Sequence, residues 1–141
     1  MKVISIKEPF ATLIKNGTKK IETRSWKTNY RGELFIHASG KKLSKEILKN
    51  NFVLELIKDM DMNYGNIICR CKLVDCIYMD EQFLDSIRND VNEYNLGEYK
   101  LGRYAWIIDD VQPIHPILVK GKLNIWNYDG EYELIKDNII R

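Results

Sequence analysis

Gly17-Thr18-Lys19-Lys20-Ile21-Glu22-Thr23-Arg24-Ser25-Trp26 is the densest polar stretch of the chain, and the reading of the fold turns on it. As an extended strand it puts Lys20, Glu22, Arg24 and Trp26 on one face, because side chains alternate with a period of two. A solvated surface strand would carry a similar run of charges. Trp26 argues for a partner surface, since a Trp seldom lies fully exposed. Upstream, the segment from Pro9 to Gly17 has Pro in its first turn and Gly just past its end, which predicts a short helix. Its apolar residues Phe10, Leu13 and Ile14 keep helical spacing. The N-terminus of that helix, at Lys7-Glu8-Pro9, would offer free amides to an anion.

Working outward, Lys2–Ile6 and Gly32–Ala38 read as strands, the second joined to Lys20–Trp26 by the polar loop 27–31. Ser44 to Met60 is helical in pattern, with Ile47, Leu48, Phe52 and Leu56 on one side. A long strand follows at Asn66–Met79. Asp80 is placed to cap a helix whose inner face is Phe83, Leu84, Ile87, Val91 and Tyr94, ending at Gly97 or Gly102. Tyr104–Asp109, Ile117–Val119 and Ile125–Tyr128 read as strands, and Glu131–Ile140 as a helix or a strand. Strands scattered among single helices do not repeat as βαβ units. The expectation is therefore an α+β fold on a small curved or closed sheet, a single domain over residues 1–141.

Composition sets the outer bounds. The 141 residues are 45% hydrophobic and 30% charged with eight Gly and three Pro, which excludes a disordered or collagen-like chain. The apolar start is broken by Lys7, Glu8 and Pro9, too early for a signal-peptide core, and no apolar run approaches the roughly 18 residues of a membrane span. A cytoplasmic protein without a membrane partner is expected. Cys69, Cys71 and Cys76 are odd in number and read as reduced core residues. Cys69 and Cys71, two apart on one strand face with Ile67 and Leu73, stand about 6.5–7 Å apart, too far to share one zinc. Charge is uneven: residues 1–50 carry twelve Lys+Arg and four Asp+Glu, whereas residues 51–100 carry five against ten. A near-neutral chain thus has a basic N-terminal third.

The chemistry of the polar stretch is specific. Arg24 suits a phosphate because its planar fork donates two parallel hydrogen bonds, and Lys19 suits it as a point charge. Glu22 does not suit phosphate; it can hold Arg24, accept from a base amino group, or move a proton. His37, at the end of an apolar strand, reads as a hydrogen-bonded structural residue ahead of a catalyst, and it would border the Glu22/Arg24 face should the two strands pair. Ser39 follows in a small-residue turn, and Lys41 and Lys42 add charge to its rim. His115, between Pro113 and Pro116, reads as a loop residue. Trp26, Trp106 and Trp126 could form a stacking platform, although Trp106 sits in a near-continuous apolar strand and reads as core. No P-loop, G-x-G-x-x-G, H-E-x-x-H or G-x-S-x-G motif occurs, and no cofactor or metal is expected.

Three blocks in order carry a family resemblance: Ile4-Ser5-Ile6-Lys7-Glu8-Pro9-Phe10-Ala11, the Gly17–Trp26 stretch, and Arg31-Gly32-Glu33-Leu34-Phe35-Ile36-His37-Ala38-Ser39. With Val119-Lys120-Gly121 and Ile125-Trp126 near the end, they closely resemble the ASCH domain, activating signal cointegrator homology, over roughly residues 3–128. The G-x-K-x-x-E-x-R string is the most specific part. The resemblance implies a PUA-like fold, a small β-barrel flanked by helices, with a cleft lined by the first helix, Lys19, Glu22 and Arg24. It implies nucleic-acid binding, RNA foremost. Lys7, Pro9, Phe10, Lys19, Glu22, Arg24, Trp26, His37, Ser39 and Lys41 are the expected binding residues.

One branch of the family is similar but enzymatic, removing the acyl group of N4-acetylcytidine with a Lys, a Thr and a Glu. Carried over, its Lys falls on Lys19, and its Thr position is occupied by Glu22, with Thr23 one residue away. Its Glu comes from a later helix, at Glu81 or Glu93. The triad is not intact in this sequence. Two expectations follow: an RNA-binding module, or an amidohydrolase of a modified nucleoside in which Lys19 and Glu22 are catalytic.

Overall fold

Two long strands carry the sheet. The apolar run after Gly65 forms β4 (Asn66–Tyr78), which pairs antiparallel with β5 (Tyr104–Leu118). Register shifts interrupt their ladder between Ile67 and Cys69, Arg70 and Lys72, and Leu73 and Asp75. Each such irregularity bends the strand and increases its twist, so a pair this long curls instead of lying flat. On one side β3 (Gly32–Ala38) adds antiparallel to β4, β1 (Lys2–Ile6) adds parallel to β3, and β6 (Ile125–Asn127) adds antiparallel to β1. On the other side β2 (Ile21–Arg24) adds antiparallel to β5. The result is one six-stranded sheet of order β2-β5-β4-β3-β1-β6, a curled half-barrel with β2 and β6 as its edges. This computed structural model describes residues 1–136.

β1 and β3 are buried on both faces, which explains why their sequences are nearly continuous apolar runs. Ile4, Leu34 and Ile36 point into the main core with Ala11 and Ile14 of α1 (Phe10–Lys15) and with Trp106. Val3 and Phe35 point the other way, onto Ile67, Ile114 and Trp126. Two smaller cores lie under the helices. Leu13, Ile47, Val53, Ile57 and Leu96 form one, and Met79, Leu84, Ile87, Tyr99 and Ala105 the other.

The α+β expectation stands, and four details of the sequence reading are corrected. The helix expected over Ser44–Met60 is two, α2 (Lys45–Leu48) and α3 (Asn51–Ile57), because the Asn50 side chain accepts from Val53 N at 3.2 Å and restarts it. That restart changes the phase: Ile47, Val53 and Ile57 face inward, while Leu48 and Phe52 are exposed. Asp80 caps α4 (Glu81–Ile87) as expected, its side chain accepting from Phe83 N at 2.8 Å. Asp90 then caps a separate α5 (Val91–Asn95), which turns Val91 and Tyr94 outward.

The strand segments 104–109 and 117–119 belong to the single β5, with Pro113 and Pro116 inside it. Proline is tolerated there because the neighbouring ladder is already irregular at Ile67 and Cys69. That same shift puts Ile67 in the second core while Ile68, Cys69, Cys71 and Leu73 fill the first, so Ile67 does not share the cysteines' surroundings. All three cysteines are free. Leu134 makes an isolated bridge to Ile114, residues 131–136 hold no helix, and the rest of the expected Glu131–Ile140 element lies outside the described residues. Among the described residues no helix is long and apolar enough to cross a membrane.

Candidate functional site

A cleft of about 950 Å³ opens where the C-terminal ends of β1 and β3 meet the outer edge of β2. Its far walls come from the loop after α5 and from the strap that joins β5 to β6. The strands β2 and β3 do not pair with each other, since β2 runs beside β5. The curl of the sheet, not a ladder, brings Glu22 and Arg24 opposite His37.

Arg24 is held at two edges of its guanidinium. Its Nε donates to Glu22 Oε2 at 2.9 Å and its Nη2 donates to the Ser5 carbonyl at 2.7 Å. A guanidinium has five N–H donors in a fixed plane, so two contacts at different edges hold that plane still. Nη1 has no protein partner among the described residues. Glu22 is 8% exposed, and its other oxygen, Oε1, takes no protein donor among the described residues. The pair thus presents donors beside an acceptor.

His37 belongs to the wall. The carbonyl of Val119 can only accept, so His37 Nε2 carries a proton and donates to it at 2.7 Å. Nδ1 then accepts from the Ser5 hydroxyl at 3.0 Å, and Ser5 Oγ accepts from Trp126 Nε1 at 3.2 Å. One tautomer satisfies the whole chain. Gly121 closes over this network, where a Cβ would lie 2.6 Å from Ser5 Oγ. His37 is the hydrogen-bonded structural residue of the two alternatives and also lines the cleft.

Lys7, Phe10, Trp26, Ser39 and Lys41 line the cleft as well. Trp26 stands edge-on to the fully buried Trp106, with ring centroids 4.7 Å apart. Trp106 and Trp126 are core, so no three-Trp platform forms. Pro9 is buried and does not line the cleft. Of the amides expected to meet an anion at the start of α1, Thr12 N donates to the Glu8 carboxylate at 2.8 Å and Ala11 N to the Lys7 carbonyl at 3.2 Å; Glu8 also accepts from Thr12 Oγ1 and from Asn63 N at 2.7 Å. His115 lies within β5, exposed and away from the cleft. Lys42 also lies outside its lining.

Lys19 is placed beneath the cleft. It is 1% exposed, Nζ donates to the Leu96 carbonyl at 2.6 Å, and the ammonium lies 5.5 Å from the Phe10 ring centre. Burial lowers its pKa, against the opposing pull of Glu22 and Glu93. Glu93, buried on α5, is the acidic residue of the later helices that stands by Lys19; Glu81 is exposed on α4. Glu93 Oε1 accepts from Lys20 N, while Oε2 is buried without a partner, and burial raises its pKa.

Sequence reading missed Ser5, Arg103, Lys120 and Lys122, all of which line the cleft. Ser5 and Lys120 carried a signal, since both stand in segments on which the family resemblance rests. The complete lining holds Lys7, Arg24, Lys41, Arg103, Lys120 and Lys122 against two carboxylates, Glu22 and Glu98.

The ASCH domain profile matches residues 4–120. The chain belongs to the ASCH family. Among curated proteins it is similar to activating signal cointegrator 1 of Homo sapiens, at 33% identity, and of Mus musculus, at 27% identity. Each match covers 91% of this chain but 22% of the relative, so the chain spans about a fifth of their length. Among solved structures it is similar to ASCH from Zymomonas mobilis, with TM-score 0.52 and 22% identity over 82% of this chain and 71% of that one. A tyrosine-to-phenylalanine variant of that protein matches with TM-score 0.50 and 20% identity, over 82% of this chain and 73% of that one. The PUA-like ASCH fold expected from the sequence is therefore the fold observed.

Proposed function

We propose that this ASCH domain binds RNA, holding one nucleotide in the cleft against Arg24 and Glu22. The observation that carries the reading is the fixed Arg24 guanidinium, with Nη1 unclaimed among the described residues, in a cleft of six cationic side chains and two carboxylates. A cleft of about 950 Å³ is of a size that takes a nucleotide. Arg24 donates to a phosphate or a base edge, and Glu22 Oε1 accepts from a base amino or imino group, which gives the site a preference beyond backbone charge. The exposed face of Trp26 offers stacking area. Titrating a short single-stranded RNA at several salt concentrations tests the reading. Affinity should fall with rising salt, and Arg24→Ala should weaken it at every salt; binding that is absent at low salt would overturn it.

A second reading, deacylation of N4-acylated cytidines, draws on the lowered pKa of Lys19, because a neutral amine serves as base or nucleophile. Against it, Nζ is turned to the Leu96 carbonyl and sealed from the cleft. A chromatographic assay with a panel of N4-acylated cytidines decides: recovery of unchanged substrate favours recognition. Turnover lost in both Glu22→Ala and Lys19→Met would make the protein an enzyme.

A further inference from the structure

Resting on the RNA-binding reading, we propose that Leu123 is an apolar wedge that enters the base stack of the bound strand, in the gap left by the nucleotide held in the cleft. Leu123 is 89% exposed, more than any other large hydrophobic side chain among the described residues, and it lines the cleft. A single exposed leucine is ordinarily unremarked. This one is held by an unusually well-anchored segment.

The strap between β5 and β6 is fixed at its start, where Val119 N donates to the Gly65 carbonyl at 3.0 Å and the Val119 carbonyl accepts from His37 Nε2. Gly121 then packs so closely on Ser5 and His37 that a Cβ would lie 2.6–2.7 Å from their atoms. Past the tip, Asn124 takes a left-handed conformation, φ 59°, and the chain returns to the buried Trp126. Asparagine is among the few residues that adopt that conformation readily. The strap is thus tied at Val119 and Gly121 on one side and at Ile125, paired with Ile4, on the other, and Leu123 stands solvated between them.

Its neighbours identify the partner. Lys120 and Lys122 are exposed beside Leu123, and the strap contains no acidic residue, so the tip meets a polyanion that also has apolar faces. A nucleic-acid strand has both. Apolar side chains enter base steps in many nucleic-acid complexes, and extruding a base into a pocket leaves the gap that such a side chain fills. Lys120 and Lys122 then lie where the flanking phosphates pass.

The test compares the wild-type protein, Leu123→Ala and Arg24→Ala, each titrated with a short single-stranded RNA of mixed sequence and with the four ribonucleoside 5′-monophosphates. Leu123→Ala should melt like the wild type, since the side chain is almost fully solvated, and should lose about tenfold or more in RNA affinity. Its loss for the monophosphates should be much smaller than its loss for RNA, because they have no stack to enter. Arg24→Ala should weaken both. With 2-aminopurine substituted in the RNA, wild-type binding should raise fluorescence by unstacking, and Leu123→Ala should abolish the rise. If Leu123→Ala binds RNA as the wild type does while Arg24→Ala does not, the wedge is wrong and the cleft reading stands. Equal losses for RNA and monophosphates would make Leu123 part of the nucleotide pocket, also overturning the wedge. A wild-type protein that binds no RNA would remove both.

Discussion

Arg24 Nη2 donates to the Ser5 carbonyl at 2.7 Å and so joins β2 to β1, two strands that are not neighbours in the sheet. The half-barrel has β2 and β6 as its edges, and here a side chain does what a ladder does elsewhere. The same guanidinium is oriented by Glu22 and faces the cleft. A bridge across the curl of the sheet and the proposed ligand-binding group therefore belong to one residue.

Arg24→Ala should consequently cost stability as well as affinity. It removes two charge-assisted contacts and leaves Glu22, 8% exposed, without its cation, for a loss of about 1–3 kcal/mol. Arg24→Lys keeps the charge but cannot reach Glu22 and Ser5 with separate edges of one plane. It should recover part of the salt-dependent RNA affinity and little of the stability. Urea denaturation read alongside RNA titration checks this; a Lys variant as stable as the wild type would show that the two contacts add nothing beyond charge.

Glu93 supplies a pH dependence with a definite sign. Burial raises its pKa above the ordinary 4.5, opposed by the hydrogen bond from Lys20 N and by Lys19. The folded chain then holds this proton at pH values where the unfolded chain has released it. Its contribution is fully present below about pH 4.5 and is lost as pH rises through the folded pKa. Glu93→Gln keeps an acceptor for Lys20 N and removes the titration. The stability difference, wild type minus variant, should therefore fall as pH is raised from about 4 towards about 8 in urea denaturation, and a difference that rose over that range would contradict the raised pKa.

How much of this was legible in the sequence depended on the range of the interactions. The helix start at Asp80 and the extent of β4 are local, and both were readable; the phase of β4 was not, because the shift between Ile67 and Cys69 turns Ile67 away from the cysteines. The break at Asn50 was not, because the apolar pattern runs through it and only the cap reveals the restart. The two prolines of β5 read as loop because their tolerance depends on bulges paired with β4, a strand distant in sequence. At the site, the Glu22–Arg24 pair was legible as two positions on one strand face. The burial of Lys19 was not, since a lysine in a charged run reads as exposed until Leu96, 77 residues on, is folded over it. The Ser5–His37–Val119 chain spans three separate segments and leaves no sequence pattern.

The cysteines offer an independent check of the core. Burial pushes the Cys69 thiol up to about 12 and raises that of Cys71 further, so neither forms a thiolate near neutrality. Cys76 is half-buried. In mildly alkaline native buffer a thiol reagent should label Cys76 alone, and all three in denaturant. Rapid native labelling of Cys69 or Cys71 would mean that the sheet opens where the main core is densest.

The strap is tested most directly at Gly121, where a methyl group would lie 2.6 Å from Ser5 Oγ and 2.7 Å from His37 Cε1. Neither neighbour can retreat. Ser5 is fixed on β1 by its hydrogen bonds to His37 and Trp126, and the His37 ring is held at both nitrogens. In Gly121→Ala the strap itself must therefore lift, which stretches the His37–Val119 bond and moves Leu123, Lys120 and Lys122 out of place. Overpacking of this kind costs about 1–3 kcal/mol. RNA affinity should fall as well, although no cation has been removed. Gly40→Ala is the stability control: a Cβ there meets nothing within 4 Å, so its stability should stay at the wild-type value. If Gly121→Ala matched that control in stability and the wild type in affinity, the strap would be loose enough to accommodate a side chain, and its role in shaping the cleft would have to be given up.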